Sequence, residues 1–152
     1  DGPLALSGSI STGAQVLAAQ AMGADFAYIG TAFIATDEAR AMDAYKDMIV
    51  ASASKDIVYS SLFTGVSGNY LAPSIAKAGM DPNNLPEGDK ATMSFQSGEG
   101  SKAKAWKDVW GSGQGIGAIK ARMPAAQYIA QLKREYETAR AKLATSASAF
   151  AG

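Results

Sequence analysis

Apolar positions near the start of the chain switch between two spacings. Leu4-Ala5-Leu6 is a short apolar run that stops at Ser7-Gly8-Ser9. Residues 14–22 read as a helix carrying Val16, Leu17 and Met22 among alanines, with Ser11 or Thr12 as its cap and Gly23 at its end. A second run, Phe26-Ala27-Tyr28-Ile29, stops at Gly30-Thr31. Strand, helix, strand in so few residues predicts a βαβ unit. Its two strands are parallel, because the crossover helix returns the chain to the same edge. Both strands then end side by side in small residues rich in amide and hydroxyl donors. Two adjacent turns of that kind make an anion cradle, and the expected occupant is a phosphate.

Beyond Thr31 the pattern predicts a helix from Thr36, as N-cap, to about residue 53, with Asp37 and Glu38 in its first turn. Met42, Tyr45 and Ile49 share one stripe, while Asp43, Lys46 and Asp47 are expected to face water. Ile57-Val58-Tyr59 is a short strand candidate. Residues 64–100 read as loop, broken by Gly65, Gly68, Pro73, Gly79, Pro82, Pro86 and Gly88, with a short helix at residues 74–78. So long a connection is usually functional. Asn69 and Tyr70 within it are candidates for lining a pocket or for structural packing. Residues 101–110 read as helix, with Trp106 and Trp110 as packing residues four apart. The run from Gly111 to Gly117 lacks a following Gly-Lys-Ser/Thr and reads as a flexible connection. A last helix begins near Pro124. Tyr128, Ile129, Leu132, Tyr136 and Ala139 form its apolar stripe, with Lys133, Arg134, Glu135 and Glu137 on a solvated face. The Ser/Ala-rich end beyond it is expected to fray.

Composition changes this picture in a few places. The 152 residues suffice for one domain with a core. Lys+Arg and Asp+Glu are equal at 14 each, which argues against a nucleic-acid or strongly membrane-attracted surface. The chain has no Cys, which excludes disulfides and thiolate sites. It has no His, which removes the commonest general base near neutral pH. No apolar run approaches the roughly 20 residues of a membrane span, so a soluble cytoplasmic protein is expected. The chain opens at Asp1-Gly2-Pro3 and enters a strand almost at once. That leaves the first strand with an open edge and predicts a piece of a longer protein.

The ordered set Ser7-Gly8-Ser9-Ile10, Leu17, Gly23-Ala24-Asp25 and Ile29-Gly30-Thr31-Ala32-Phe33 resembles the nitronate monooxygenase family, formerly called 2-nitropropane dioxygenases. Phe63-Thr64-Gly65, Gly68-Asn69-Tyr70-Leu71, Pro73-Ser74-Ile75, Ala78-Gly79 and the later Trp110 with Gly113-Gln114-Gly115 and Gly117 extend the resemblance across nearly the whole chain. The family's members are FMN-dependent TIM (β/α)8 barrels, and a complete barrel takes about 250 residues. The resemblance therefore implies an α/β chain that supplies barrel strands seven and eight and a mostly helical C-terminal region. Its implied parts are residues 1–53 as the last βα units, 54–123 as a loop and helical region beside the site, 124–143 as a docking helix and 144–152 as a tail. The first six strands would belong to a missing N-terminal half, on the same or a separate chain.

Carried over residue by residue, the family's FMN contacts fall on Ser9, Tyr28, Ile29, Gly30 and Thr31, with Ser7 and Gly8 beside them. Two positions depart from the family. Ser9 stands where a second glycine is usual, and Ala32 where many members have Arg. The family's catalytic His has no counterpart, so no catalytic residue is named; Gln114 is a candidate for reaching substrate or flavin. The activity implied is oxidation of an alkyl nitronate by O2 to a carbonyl compound and nitrite. A related flavin-dependent enoyl-acyl-carrier-protein reductase, or a half-barrel that binds or assembles without turnover, are the alternatives.

Overall fold

The computed structural model describes residues 2–87 and 108–148. They divide into two compact units, one formed by residues 1–50 with 115–152 and the other by residues 51–114. The first unit opens with β1 (Ala5–Ser7), α1 (Gly13–Ala21) and β2 (Phe26–Tyr28). β1 and β2 pair in parallel with Ala5 opposite Phe26, Leu6 opposite Ala27 and Ser7 opposite Tyr28. The βαβ expectation therefore holds to within a residue at each boundary. Alternation along the strands sends Leu6 and Ala27 toward α1, where they pack with Val16 and Ile29 around buried Ile10, Ala19 and Ala24.

After β2 the chain departs from the sequence reading. A short helix, α2 (Thr31–Ile34), follows at once, and the next helix, α3 (Asp43–Ala51), starts six residues later than expected. Thr36 is not its cap. Its hydroxyl donates to the Phe33 carbonyl at 2.7 Å and closes α2, while its backbone bridges Met123. Lys46 faces inward and is 3% exposed, its Nζ donating to the Asp37 carbonyl at 3.0 Å. The stem of a long lysine covers apolar surface while its head finds a carbonyl. Met42, assigned to the apolar stripe, lies outside the helix and is exposed; Ile49 is fully buried. Asp43 and Asp47 do face solvent, and both accept from Arg122, at 2.6 and 3.1 Å. Hydrogen bonding to Asp47 and Asp43 raises the Arg122 pKa.

A 3-10 turn at Gln114–Ala118 brings the chain back into this unit from Gly115 on, with Ile116 fully buried, and α5 (Ala125–Ser148) completes it. The glycine-rich run is thus in part ordered helix rather than a flexible connection. The Pro124 carbonyl accepts the first bonds of α5, from Gln127 and Tyr128. Glu38, expected in a helix of its own, instead accepts the Ala125 N–H at 2.8 Å and caps α5. That bond is the main reason its pKa lies below 4.5. α5 packs along α1. Tyr128 is buried and Leu132 and Tyr136 are half-buried, but Ile129, placed on the same stripe, is 54% exposed.

In the second unit, β3 (Ile57–Ser60) pairs antiparallel with β4 (Gly68–Leu71), a strand that the sequence reading took as loop. α4 (Ala72–Lys77) follows directly, as expected. Tyr70, Ile75 and Val109 form its core with Val58, Phe63, Met80 and Leu85 around them. Ser74 is fully buried, donates to the Leu71 carbonyl at 2.7 Å and accepts the Trp110 N–H at 3.0 Å. Trp106 and most of the helix expected at residues 101–110 lie outside the described residues.

Candidate functional site

Parallel register decides which turns are neighbours. Ser7 and Tyr28 are opposed at the carboxyl ends of their strands. The turn at Gly8-Ser9 and the turn at Ile29-Gly30-Thr31 therefore leave the sheet at the same end. Gly8 has φ 100° and Ser9 φ 56°, so both occupy the left-handed region. For Gly8 this is free; for Ser9 it costs about 1–2 kcal/mol, which surrounding contacts must offset. Ser9 therefore stands at a position whose backbone favours glycine. A Cβ built on Gly8 or on Gly30 would meet nothing within 4 Å, so both turns border open space.

The segment that follows Ser9 is tied down. Gln15 Oε1 accepts from the amides of Ser11 (2.8 Å) and Thr12 (3.0 Å), and Thr12 Oγ1 accepts the Gln15 N–H, a reciprocal capping box. The Gly13 N–H donates to Glu135 Oε2 at 2.8 Å, across 122 residues. The start of α1 is thus already occupied by protein acceptors, and the Ser7-Gly8-Ser9 turn is the exposed part of the loop.

Two residues of the C-terminal segment support this loop from beneath. A Cβ on Gly115 would lie 2.9 Å from the Ser9 carbonyl carbon and oxygen and 2.7 Å from Ser11 Oγ, so only glycine fits there. The Tyr128 hydroxyl donates to the buried Ser11 carbonyl at 3.0 Å, and its ring meets Phe33 of α2 edge-on at 5.1 Å. Burial and the nearby Glu135 carboxylate push the Tyr128 pKa up to about 12. The sequence reading recognised neither role, having placed Gly115 in a flexible connection and Tyr128 on an apolar stripe.

The seven expected cofactor contacts, Ser7, Gly8, Ser9, Tyr28, Ile29, Gly30 and Thr31, thus sit on one strand pair and its two following turns. Ser7, Gly8, Ser9, Tyr28 and Gly30 are exposed; Ile29 and Thr31 are half-buried. Gln114 is exposed and belongs to the second unit, where its carbonyl accepts from Ser54 Oγ at 3.1 Å. Asn69 and Tyr70 lie on β4 rather than in a loop, and Tyr70 packs edge-on against Phe63 at 4.7 Å, a core role. Among the described residues no group of three or more His, Cys, Asp or Glu could hold a metal ion. No described helix is long and apolar enough to cross a membrane.

A family model for nitronate monooxygenase matches residues 2–135. The chain belongs to that family. It is 33% identical over 138 residues to a nitronate monooxygenase of Paraburkholderia phytofirmans, and 26% identical over 135 residues to a probable nitronate monooxygenase of Staphylococcus haemolyticus. Those matches cover 88% and 86% of this chain but 37% and 36% of the relatives, so the chain spans little more than a third of their length. Among solved structures, nitroalkane oxidase from Streptomyces ansochromogenes matches with TM-score 0.72 and 28% identity, over 94% of this chain and 42% of that one. FabK from Thermotoga maritima shares the fold, with TM-score 0.72 and 23% identity, over 96% of this chain and 48% of that one. For this member of the nitronate monooxygenase family, the α/β arrangement and the family assignment agree.

Proposed function

We propose that this chain holds the phosphate end of FMN in a cytoplasmic flavin-dependent oxidoreductase. The enzyme oxidises alkyl nitronates with O2 to a carbonyl compound and nitrite. In this reading β1 and β2 are the seventh and eighth strands of a (β/α)8 barrel, where phosphate commonly binds at the following loops. The observation that carries it is the parallel register of Ser7 with Tyr28, which sets both donor-rich turns at one end of the sheet beside open space. A second observation supports the barrel. Phe26 and Tyr28 are 61% and 67% exposed on the sheet face turned away from α1, whereas parallel sheets are ordinarily covered on both faces. The other six strands, in the same or a separate chain, would cover that face.

The residues fit the group. Ser7, Gly8, Ser9, Gly30 and Thr31 offer amides and hydroxyls to a phosphate, with Tyr28 and Ile29 leading into the second turn. When bound, FMN supplies the electron transfer; the protein supplies binding and orientation. In this reading the chain's part is to grip and aim the cofactor. The base that deprotonates a nitroalkane would then come from the rest of the barrel. The test is titration of FMN and riboflavin into the protein, alone and joined with an N-terminal barrel segment of a family member, followed by nitrite release from a nitronate. Two or three charge-assisted bonds to phosphate predict FMN binding tighter than riboflavin by at least about a hundredfold. Equal affinities would end the phosphate reading, and turnover that requires a nicotinamide without nitrite release would favour the enoyl reductase.

A further inference from the structure

We infer that Gly115 and Tyr128 are positioning residues for the Ser9 turn, and that they set the preference for phosphorylated over unphosphorylated flavin. The inference rests on the flavin reading above and deepens it. Ser9 is the only described non-glycine residue at positive φ. An L residue stays in that region only where its surroundings over-determine it. Here the surroundings are identifiable. Gly115 leaves the Ser9 carbonyl the room that any Cβ would take, and the Tyr128 hydroxyl ties down the Ser11 carbonyl two residues on.

Tyr128 does a second thing. Its ring abuts Phe33, which lies in the short helix directly after the Gly30-Thr31 turn. One side chain therefore braces the supports of both turns and fixes their separation. A phosphate gripped between two turns is sensitive to that separation, because hydrogen bonds weaken within a few tenths of an ångström. The phosphate is the part of the flavin that the proposed function places between the two turns. Gly115 and Tyr128 thereby act on the phosphate term of affinity alone, without touching the ligand.

The test uses Tyr128→Phe, which keeps the ring on Phe33 and removes only the hydroxyl. FMN and riboflavin dissociation constants and the thermal midpoint are measured for it and for the unsubstituted protein. The expected result is FMN affinity reduced roughly fivefold with riboflavin affinity unchanged. Gly115→Ala should lower FMN affinity by roughly tenfold or more, since the clash is with backbone. Adding Ser9→Gly should recover part of that loss, because glycine can take a different φ and let the loop move. Tyr128→Phe also covers the case in which Gly115→Ala does not fold. A Tyr128→Phe protein that binds both flavins as before, or loses both in equal proportion, overturns the inference alone. An unsubstituted protein that binds riboflavin as well as FMN overturns the phosphate reading and the inference with it.

Discussion

Gly13 opens α1 at the point where α5 crosses it, and replacing it with alanine should invert the usual effect of that change. In an isolated helix, Gly→Ala gains about 1 kcal/mol. Here the added methyl would lie 2.0 Å from the Leu132 carbonyl oxygen, 2.3 Å from the Tyr136 nitrogen and 2.8 Å from Glu135 Cβ. Ordinary contact begins at 3.4 Å, and the two nearest atoms are backbone in mid-helix, so α1 and α5 must part by more than 1 Å. Parting them strains the packing, at about 1–3 kcal/mol. It also stretches the 2.8 Å bond from Gly13 N–H to Glu135 beyond use, which removes about 1.5–3 kcal/mol. Less the helix gain, the net loss is about 2–5 kcal/mol, a fall in Tm of roughly 5–15 °C for a chain this size. Urea unfolding followed by far-UV circular dichroism measures it. Gly2→Ala, with nothing within 4 Å of the new methyl, is the control and should change nothing. A Gly13→Ala protein as stable as the parent would show that α1 and α5 do not approach as described.

The remaining predictions concern hydrogen bonds. Glu38 has a lowered pKa because its carboxylate accepts the Ala125 N–H. Its contribution to stability is full above pH 4.5, where the unfolded carboxylate is also ionised, and is lost as pH falls from there through the folded pKa. Glu38→Gln should flatten that part of an acid-unfolding curve, and an unchanged slope would refute the capping role. In the second unit, Ser74→Ala removes bonds to both Leu71 and Trp110 and should destabilise by about 1–3 kcal/mol in the same urea assay. A loss below a few tenths would mean that the hydroxyl contributes little.

The part of the fold written locally was the part that could be read. β1, α1 and β2 announce themselves because two short apolar runs, a Ser/Thr cap and a closing glycine all fall within a few residues of one another. The turns at Gly8-Ser9 and Gly30-Thr31 belong to that stretch, so the residues proposed for the site were legible. What was not legible depends on distant partners. Thr36 has the chemistry of a helix cap, but Phe33 and Met123 claim it; Lys46 has the pattern of a surface residue, but the Asp37 carbonyl lies within the fold. β4 hid because Gly68 and Asn69 are poor strand formers in isolation, and pairing with β3 overrides that preference. Gly115 and Tyr128 gave no signal that they sit under a loop more than 100 residues earlier; nothing in a linear pattern encodes that proximity.

The first unit is discontinuous in the chain, residues 1–50 being completed by residues 115–152. During synthesis, the stretch that bears the two donor-rich turns leaves the ribosome well before the helix that seats it. The contacts that Gly115 and Tyr128 make with the first loop form only after residues 115–128 have emerged. The intervening 64 residues form a compact unit of their own, so changes of length inside it leave its two ends where its own packing holds them. Evolution can therefore lengthen or shorten that insertion with little penalty to the first unit. Loss of α5 would remove Tyr128 and its bond to the Ser11 carbonyl, and with them a support of the Ser9 turn.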